Sequence, residues 1–588
     1  MNYNLNDLQA QAKKVSTWVS LKKLLDLISH ERKNLILAFI AILANSTLNL
    51  LGPLIIGHTI DRYIFVAHKN YHGVLMNCAL LLGMFLASLV TSYLQTILMG
   101  GVGQRMLFTL RNSIFNKLQL LPVGFFNQNK AGDLISRVNN DTDKLNQFFS
   151  QSLMQFIGSI ATMTGAGIFL LSINIKLGSA TLVPAVIILL FTSIVSPWVK
   201  SKNAKNLKSV GGMSGEIQES LNNFRVIIAF NRRDYFRKKF EEANQQNYTT
   251  AISAGLANNI FVPVYGLFSS LAQLIVLVFG IYLISIGQFS IGLIVSYLSY
   301  ANLFYNPLRQ LAALWSSFQI AMAGWDRISQ ILSLETDLVT VAKPAIESSG
   351  ALLEFRKVHF SYDESKEILH NISFKLEPGK TYALVGPTGG GKTTTASLIA
   401  RLYDPTKGIV LLNGRDMRSF EPVERTKRIG FILQEPFLFT GTVRENILYG
   451  NEIYANYTND QLEQVILDAN LGSLLAIFES GLETPVTSGG DSISLGQKQL
   501  IAFMRAILRN PELLILDEAT ANIDTITEKL LSEILNKLPK QTTRVIIAHR
   551  LNTIENADEI FFVNSGEVIR AGSFDHAMDM LLQEKRVS

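Results

Sequence analysis

At 588 residues the chain is too long for one ordinary domain, and its composition, 48% hydrophobic and only 17% charged, argues against a wholly soluble protein. The formal net charge of +6 comes from Lys and Arg that flank apolar runs, which favours a membrane surface over nucleic acid. The single cysteine, Cys78, rules out an intrachain disulfide.

Taken in chain order, the first signal is a series of stretches without Asp, Glu, Lys or Arg. One lies between Lys33 and Asp61, and the others run from Gly73 to Gln104, Leu145 to Ile175, Leu177 to Val199 and Ala243 to Leu308. A spanning helix needs about 20 mainly apolar residues, and a charge at mid-bilayer costs about 3 kcal/mol on insertion scales. The last stretch is long enough for two spans, broken at Gly287-Gln288-Phe289-Ser290. The pattern predicts six spans near 34–60, 73–100, 150–173, 177–198, 255–286 and 291–323. The first is read as a spanning helix, not a removed signal.

The connection after span two carries Arg105, Arg111, Lys117, Lys130, Arg137 and Lys144. The one after span four is richer still, from Lys200 to Lys239, whereas the remaining connections hold only Arg62, Lys69 and Lys176. The positive-inside rule therefore puts both termini and the two long connections in the cytoplasm. Within those connections, Gly132-Asp133-Leu134-Ile135-Ser136-Arg137 and the segment from Glu219 to Phe230 read as docking elements.

A polar linker over 334–350 separates a membrane domain, 1–333, from a strand-rich segment over 351–588. There Thr381-Tyr382-Ala383-Leu384-Val385 reads as a buried strand leading into Gly386-Pro387-Thr388-Gly389-Gly390-Gly391-Lys392-Thr393-Thr394. This is the pattern GxxxxGK[ST], whose glycines let backbone N–H groups wrap phosphates at a helix start. Lys392 would reach the β- and γ-phosphates and Thr393 would hold Mg2+. A second strand, Leu513-Leu514-Ile515-Leu516, ends in Asp517-Glu518, placing one acid for the Mg2+ shell and one for the attacking water. A third, Arg544-Val545-Ile546-Ile547-Ala548, ends in His549, which at that position can sense a γ-phosphate.

In this order and spacing the pieces resemble the ABC transporter family, and the membrane half resembles its type IV exporters. The resemblance implies an all-α six-helix transmembrane domain fused to an α/β P-loop ATPase domain. It implies ATP and Mg2+ as the bound groups. Gly386 to Thr393 looks like the Walker A loop, Leu513 to Asp517 like Walker B, and Glu518 like the catalytic glutamate. Tyr362 stands where the family stacks an aromatic ring on adenine. Gln434 looks like the Q-loop glutamine that contacts Mg2+ and the membrane half, Asp524 like the D-loop acid and His549 like the switch histidine. The signature is Ile493-Ser494-Leu495-Gly496-Gln497, and Leu121-Pro122-Val123-Gly124-Phe125-Phe126 followed by Gly132-Asp133-Leu134 matches the first coupling region.

The resemblance also implies a dimer in which each ATP lies between one Walker A loop and the partner's signature. Leu495 replaces the first signature glycine, and Ser488 stands where many exporters carry a coupling glutamate. With Glu518 and His549 kept, that combination resembles one half of a heterodimer, although some homodimers tolerate a bulky residue here. The expected setting is the plasma membrane. In span six, Phe304, Tyr305, Trp315 and Phe318 with Asn302, Asn306, Gln310 and Gln319 suit an amphipathic organic cargo, and Arg309 is the one charge between Glu242 and Asp326. Multidrug-type export is the expectation. A lipid or lipid-linked glycan flippase and an ATP-gated channel or regulator are the rivals. No cysteine precedes Cys78, which argues against a peptide exporter with its own protease.

Overall fold

The computed structural model describes residues 3–5, 31–65, 70–335, 338, 341, 350–363, 366–434, 436–487, 493–517, 525–547, 557–572 and 574–585. They fall into two compact units. One comprises Ala12–Leu118 and Gly132–Ser333; the other comprises Met1–Gln11, Gln119–Ala131 and Leu334–Ser588.

The first unit is helical. Five of its described helical stretches are long and apolar enough to cross a membrane: Arg32–Ile64, Tyr71–Leu120, Ala131–Ile173, Ile175–Asn222 and Arg233–Ser285. A sixth long helix, Ile291–Ser333, occupies the place of the sixth expected span. Its run is as free of charge down to Leu308 as expected, but Asn302, Asn306 and its tyrosines make it less apolar than the others. Tyr71–Leu120 has 50 residues, about 75 Å of helix, so it extends far beyond a hydrocarbon core of about 30 Å.

Inside the bundle, polar side chains of the sixth helix are satisfied by neighbouring backbones, as an apolar surrounding demands. The Tyr300 hydroxyl donates to Leu50 O at 2.6 Å, Tyr305 to Thr181 O at 2.6 Å and Tyr297 to Asn174 O at 2.9 Å. Ser296 donates to Pro53 O at 2.7 Å. At one end, the Asp61 carboxylate accepts from Gly292 N at 2.8 Å and from the Ser290 hydroxyl, capping the sixth helix. Gly57 and Gly292 make that crossing possible: a Cβ on Gly292 would collide with the Gly57 carbonyl oxygen. At the other end Arg137, 1% exposed, donates to Asp133 at 2.9 Å, Arg327 O at 2.7 Å and Gln330 at 3.1 Å. Arg327 in turn pairs with Asp133 and with Asp141, the latter at 3.0 Å. Two π-helical turns, Arg137–Asp141 and Phe148–Ser152, interrupt the third span here.

Gly132 to Arg137, expected as a docking element, thus spends its buried residues inside the helical unit. The second expected element ends the helix Ile175–Asn222 and forms the short helix Phe224–Ala229, with Phe224, Val226, Ile228 and Phe230 all more than 40% exposed.

The second unit is an α/β fold. Its strands are β1 Leu353–Phe360, β2 Leu369–Leu376, β3 Thr381–Val385, β4 Lys407–Leu412, β5 Arg415–Asp416 and β6 Ile429–Ile432. They continue as β7 Gly441–Thr442, β8 Pro485–Val486, β9 Leu513–Asp517, β10 Thr543–Ile547, β11 Glu559–Asn564 and β12 Glu567–Gly572. An antiparallel sheet has the order β2-β1-β4-β5, and a six-stranded sheet the order β12-β11-β3-β10-β9-β6. In the latter β3 pairs in parallel with both β10 and β11, and β9 with β10 and β6. β3 and β9 read as continuous apolar runs because both faces are covered: β9 is buried throughout.

The segment Val123–Gln128 belongs to this second unit. Phe125 is fully buried, and Tyr3 meets it edge-on at 6.4 Å. Gln128 accepts from Tyr3 N at 2.7 Å; Asn129 accepts from Leu5 N at 3.1 Å and donates to Tyr3 O and Phe125 O at 2.8 Å. Asn127 donates to the Tyr403 hydroxyl at 2.7 Å.

Candidate functional site

The turn after β3 begins with Gly386 at φ +146° and ends with Gly391 at +115°, conformations that favour glycine. A Cβ on Gly386 or Gly390 would strike the Val563 carbonyl oxygen of β11. The loop is pinned from both sides: Gly390 N donates to Pro387 O and Gly566 N to Gly390 O, each at 3.1 Å. Gly391 is followed at once by the helix Lys392–Ile399, whose first turn presents free N–H groups. Lys392 is 5% exposed, and its ammonium donates to Gly386 O and Pro387 O, both at 2.9 Å. The charge is therefore held within the turn rather than extended into solvent. Pro387, Thr388, Gly389 and Gly390 line one side of a cavity of about 340 Å³, with Lys366, Glu367, His370 and the hairpin Asn564-Ser565-Gly566 on the other. Hydrogen bonds from His359 and His370 hold the Glu367 carboxyl below the usual carboxylate range.

Thr393 is exposed on that first helical turn, between the buried Lys392 and Thr394. Asp517 is buried at the C-terminal end of β9, a strand that packs on the helix Lys392–Ile399. A hydroxyl and a carboxylate are hard oxygen donors, the set that Mg2+ takes together with phosphate oxygens. The residues present fit a magnesium nucleotide.

Tyr362 is 41% exposed and keeps one ring edge against Phe360 at 4.8 Å and Tyr403 at 5.1 Å. Its hydroxyl is 3.0 Å from that of Thr394, tying the ring to the helix behind the phosphate loop. Gln434 lies exposed two residues beyond β6. Ser494 starts the helix Leu495–Ile507 with a capping box: its hydroxyl accepts from Gln497 N at 3.2 Å and Gln497 accepts from Ser494 N at 2.9 Å. Leu495 projects outward, 38% exposed, while Gly496 is buried. Later in that helix Arg505 donates to Asn446 O at 2.7 Å, and burial pushes its pKa down. Glu518, Asp524, His549 and Ser488 lie outside the described residues.

Sequence reasoning missed Tyr403 and the hairpin Asn564-Ser565-Gly566. Tyr403 touches Tyr362 on one side and the 123–128 segment on the other, yet sits in no motif. The Ser565-Gly566 turn at the end of β11 was a visible hairpin signal, but nothing local says that it closes over Gly390.

Family models for the ABC transporter transmembrane region and for the ABC transporter match residues 35–308 and 369–521. An uncharacterized ABC transporter ATP-binding protein of Bacillus subtilis, YfiC, is 34% identical over 96% of this chain and 93% of its own. A multidrug resistance ABC transporter ATP-binding and permease protein of Lactococcus lactis subsp. cremoris is 32% identical over 84% and 83%. A fatty acid ABC transporter ATP-binding/permease protein of Mycobacterium bovis is 32% identical over 86% and 79%. With the phosphate loop and the helical unit in a single polypeptide, the chain belongs to the ABC transporter family, as a half-transporter whose membrane region is fused to its ATPase.

Proposed function

We propose that the chain exports amphipathic or hydrophobic compounds across the plasma membrane by alternating access, as half of a dimer driven by ATP. Both termini and the two long connections lie on the cytoplasmic side. The observation that carries the reading is the closed phosphate loop around Lys392, in one compact unit with the 123–128 segment through Asn127 and Tyr403.

In this reading the backbone N–H groups from Thr388 to Thr393 and the Lys392 ammonium bind the phosphates, and Tyr362 stacks on adenine. Mg2+ held by Thr393, Asp517 and Gln434 would neutralise charge on the β- and γ-phosphates. Glu518 takes the proton of the attacking water as its oxygen bonds to the γ-phosphorus, and the bond to the β-phosphate oxygen breaks. His549 contacts the γ-phosphate, and Asp524 lies at the contact between the two ATPase halves. Ser494, Leu495, Gly496 and Gln497 complete the partner's site. Binding favours the closed pair of ATPase halves and release the open one, a shift set by differential affinity.

The domains are 1–333, 334–350 and 351–588. Leu495 in the signature favours a heterodimer, since it enlarges the surface that must approach a phosphate. The cargo is drug-like or lipid-like; one relative is named for multidrug resistance and one for fatty acid, which supports both. The test is ATP-dependent accumulation of a fluorescent amphiphile in inside-out vesicles, with the chain alone and with a second half-transporter. Glu518→Gln should keep ATP binding and abolish accumulation. Accumulation at the normal rate in that variant would overturn the scheme.

A further inference from the structure

Two exposed helix faces of the helical unit differ in kind. Between residues 75 and 90 of the helix Tyr71–Leu120, no exposed residue is charged or carries an amide; Leu75, Leu82, Phe85 and Leu89 are typical. That is a face for lipid tails. The cytoplasmic half of Ile291–Ser333 is different. At 100° per residue, Asn302, Asn306, Arg309, Ala313, Ser316 and Ile320 form one narrow stripe, and all six are exposed. Gln310 and Gln319 are exposed to either side of it, about half a turn apart round the helix. Asn302 accepts a hydrogen bond from Gln273 at 2.8 Å. Among the described residues, Asn306, Arg309, Gln310 and Gln319 have no hydrogen-bond or ion-pair partner.

An arginine that only snorkels to head groups needs no amides in the preceding turns of the same face, where Asn302 and Asn306 stand. Two amides and a guanidinium in succession on one lipid-facing stripe would be costly. The stripe therefore faces a polar or water-filled space. Arg309 is 18 residues into its helix, about 27 Å, and so stands near the inner head groups in the orientation proposed above. It is the one charge between Glu242 and Asp326, so spans five and six offer no acidic residue to oppose it.

We infer that the cargo is an amphipathic anion whose head group, a carboxylate or phosphate, is held by the Arg309 guanidinium. Asn306 and Gln310 add neutral donors, and the tail runs along the apolar part of the same space. A planar fork of N–H groups matches both head groups, and charge assistance makes these bonds the strong ones. This inference rests on the export reading and narrows its cargo.

Trp315, 51% exposed, lies about 9 Å along the axis and about 120° round the helix from Arg309, so it serves as a reporter of the bound tail rather than of the head group. The full chain in nanodiscs is titrated with four brominated probes of equal chain length: an alkyl carboxylate, an alkyl phosphate, the methyl ester of the acid and an alkyl ammonium. Trp315→Phe identifies the Trp315 signal. Quenching by one or both anions at concentrations at least about tenfold below the ester and the ammonium is expected, and the two anionic arms tell carboxylate from phosphate. Arg309→Gln should remove that preference by about tenfold without moving the ester, and Arg309→Lys should restore part of it. Equal affinity for all four probes, or no binding because another chain covers the stripe, overturns the inference, and wild-type selectivity alone decides this if Arg309→Gln fails to fold. Cation-selective binding sinks the anion and leaves export standing. Anion-selective binding without ATP-driven movement sinks export alone.

Discussion

Leu495 stands at the first position of its helix, with the capping box of Ser494 and Gln497 intact around it. Its isobutyl group contributes little to the fold, because more than a third of it is exposed and the neighbouring Gly496 does the close packing. Replacing it should therefore alter what approaches the helix start more than the helix itself. Leu495→Gly is expected to raise ATP turnover of the chain severalfold when it is expressed alone, at a helix cost of no more than about 1 kcal/mol. A phosphate-release assay at saturating ATP reads this, and unchanged turnover with unchanged folding would mean that the side chain is not what limits the site. At this scale the sequence was most informative where backbone geometry demands one residue type. The glycines at 386 and 391 occupy left-handed conformations that the GxxxxGK[ST] pattern anticipates. It was least informative for span six, where Tyr305 read as a lining residue. Its hydroxyl instead bonds Thr181 O in the packed bundle; an aromatic ring suits a lining and a packed core alike, so residue type alone did not separate the two.

Among the elements, the segment Val123–Gln128 and residues 3–5 hold each other through side-chain amides rather than through a ladder or a helix. Asn129 alone serves three backbone groups: the N–H of Leu5 and the carbonyls of Tyr3 and Phe125. Its loss leaves partly buried main-chain groups unpaired, each worth about 1–3 kcal/mol. Asn129→Ala should therefore speed hydrogen exchange of the Leu5 amide by roughly tenfold or more, corresponding to about 1.4 kcal/mol. A Leu5 amide exchanging at the wild-type rate would show that these bonds add nothing to local stability. The mutual arrangement was illegible because it depends on contacts between residues more than 120 positions apart. The first π-helical turn of the third span escaped for a related reason: it holds the buried Arg137 and Asp141, both of which bond Arg327 of the sixth helix. Within Gly132 to Arg137, Arg137 is bonded inside the bundle while Ile135 stays exposed.

For the whole molecule, one half-transporter presents surface that its own fold does not cover. The turn between the helices Ile175–Asn222 and Arg233–Asn259 projects Phe224, Val226, Ile228 and Phe230, with exposures from 45% to 74%. Arg232, Arg233 and Asp234 follow directly, so this tip is too charged to sit among lipid tails. An apolar cluster rimmed by charge, on the side proposed to be cytoplasmic, suits a protein–protein contact. In the dimeric reading its counterpart is the ATPase half of the other chain. Phe230, the most exposed of the four, can be changed with little effect on its own fold, so Phe230→Asp tests the contact rather than the helix. The expected outcome is ATP binding at wild-type affinity, measured with a fluorescent nucleotide, together with at least a tenfold loss of ATP-driven accumulation in vesicles, as a lost apolar anchor of about 1.4 kcal/mol or more would give. The loss should be accompanied by ATPase activity that no longer responds to cargo, because hydrolysis and helix movement would then run independently. Accumulation at the normal rate would mean that this tip transmits nothing, and that the coupling surface between chains lies elsewhere.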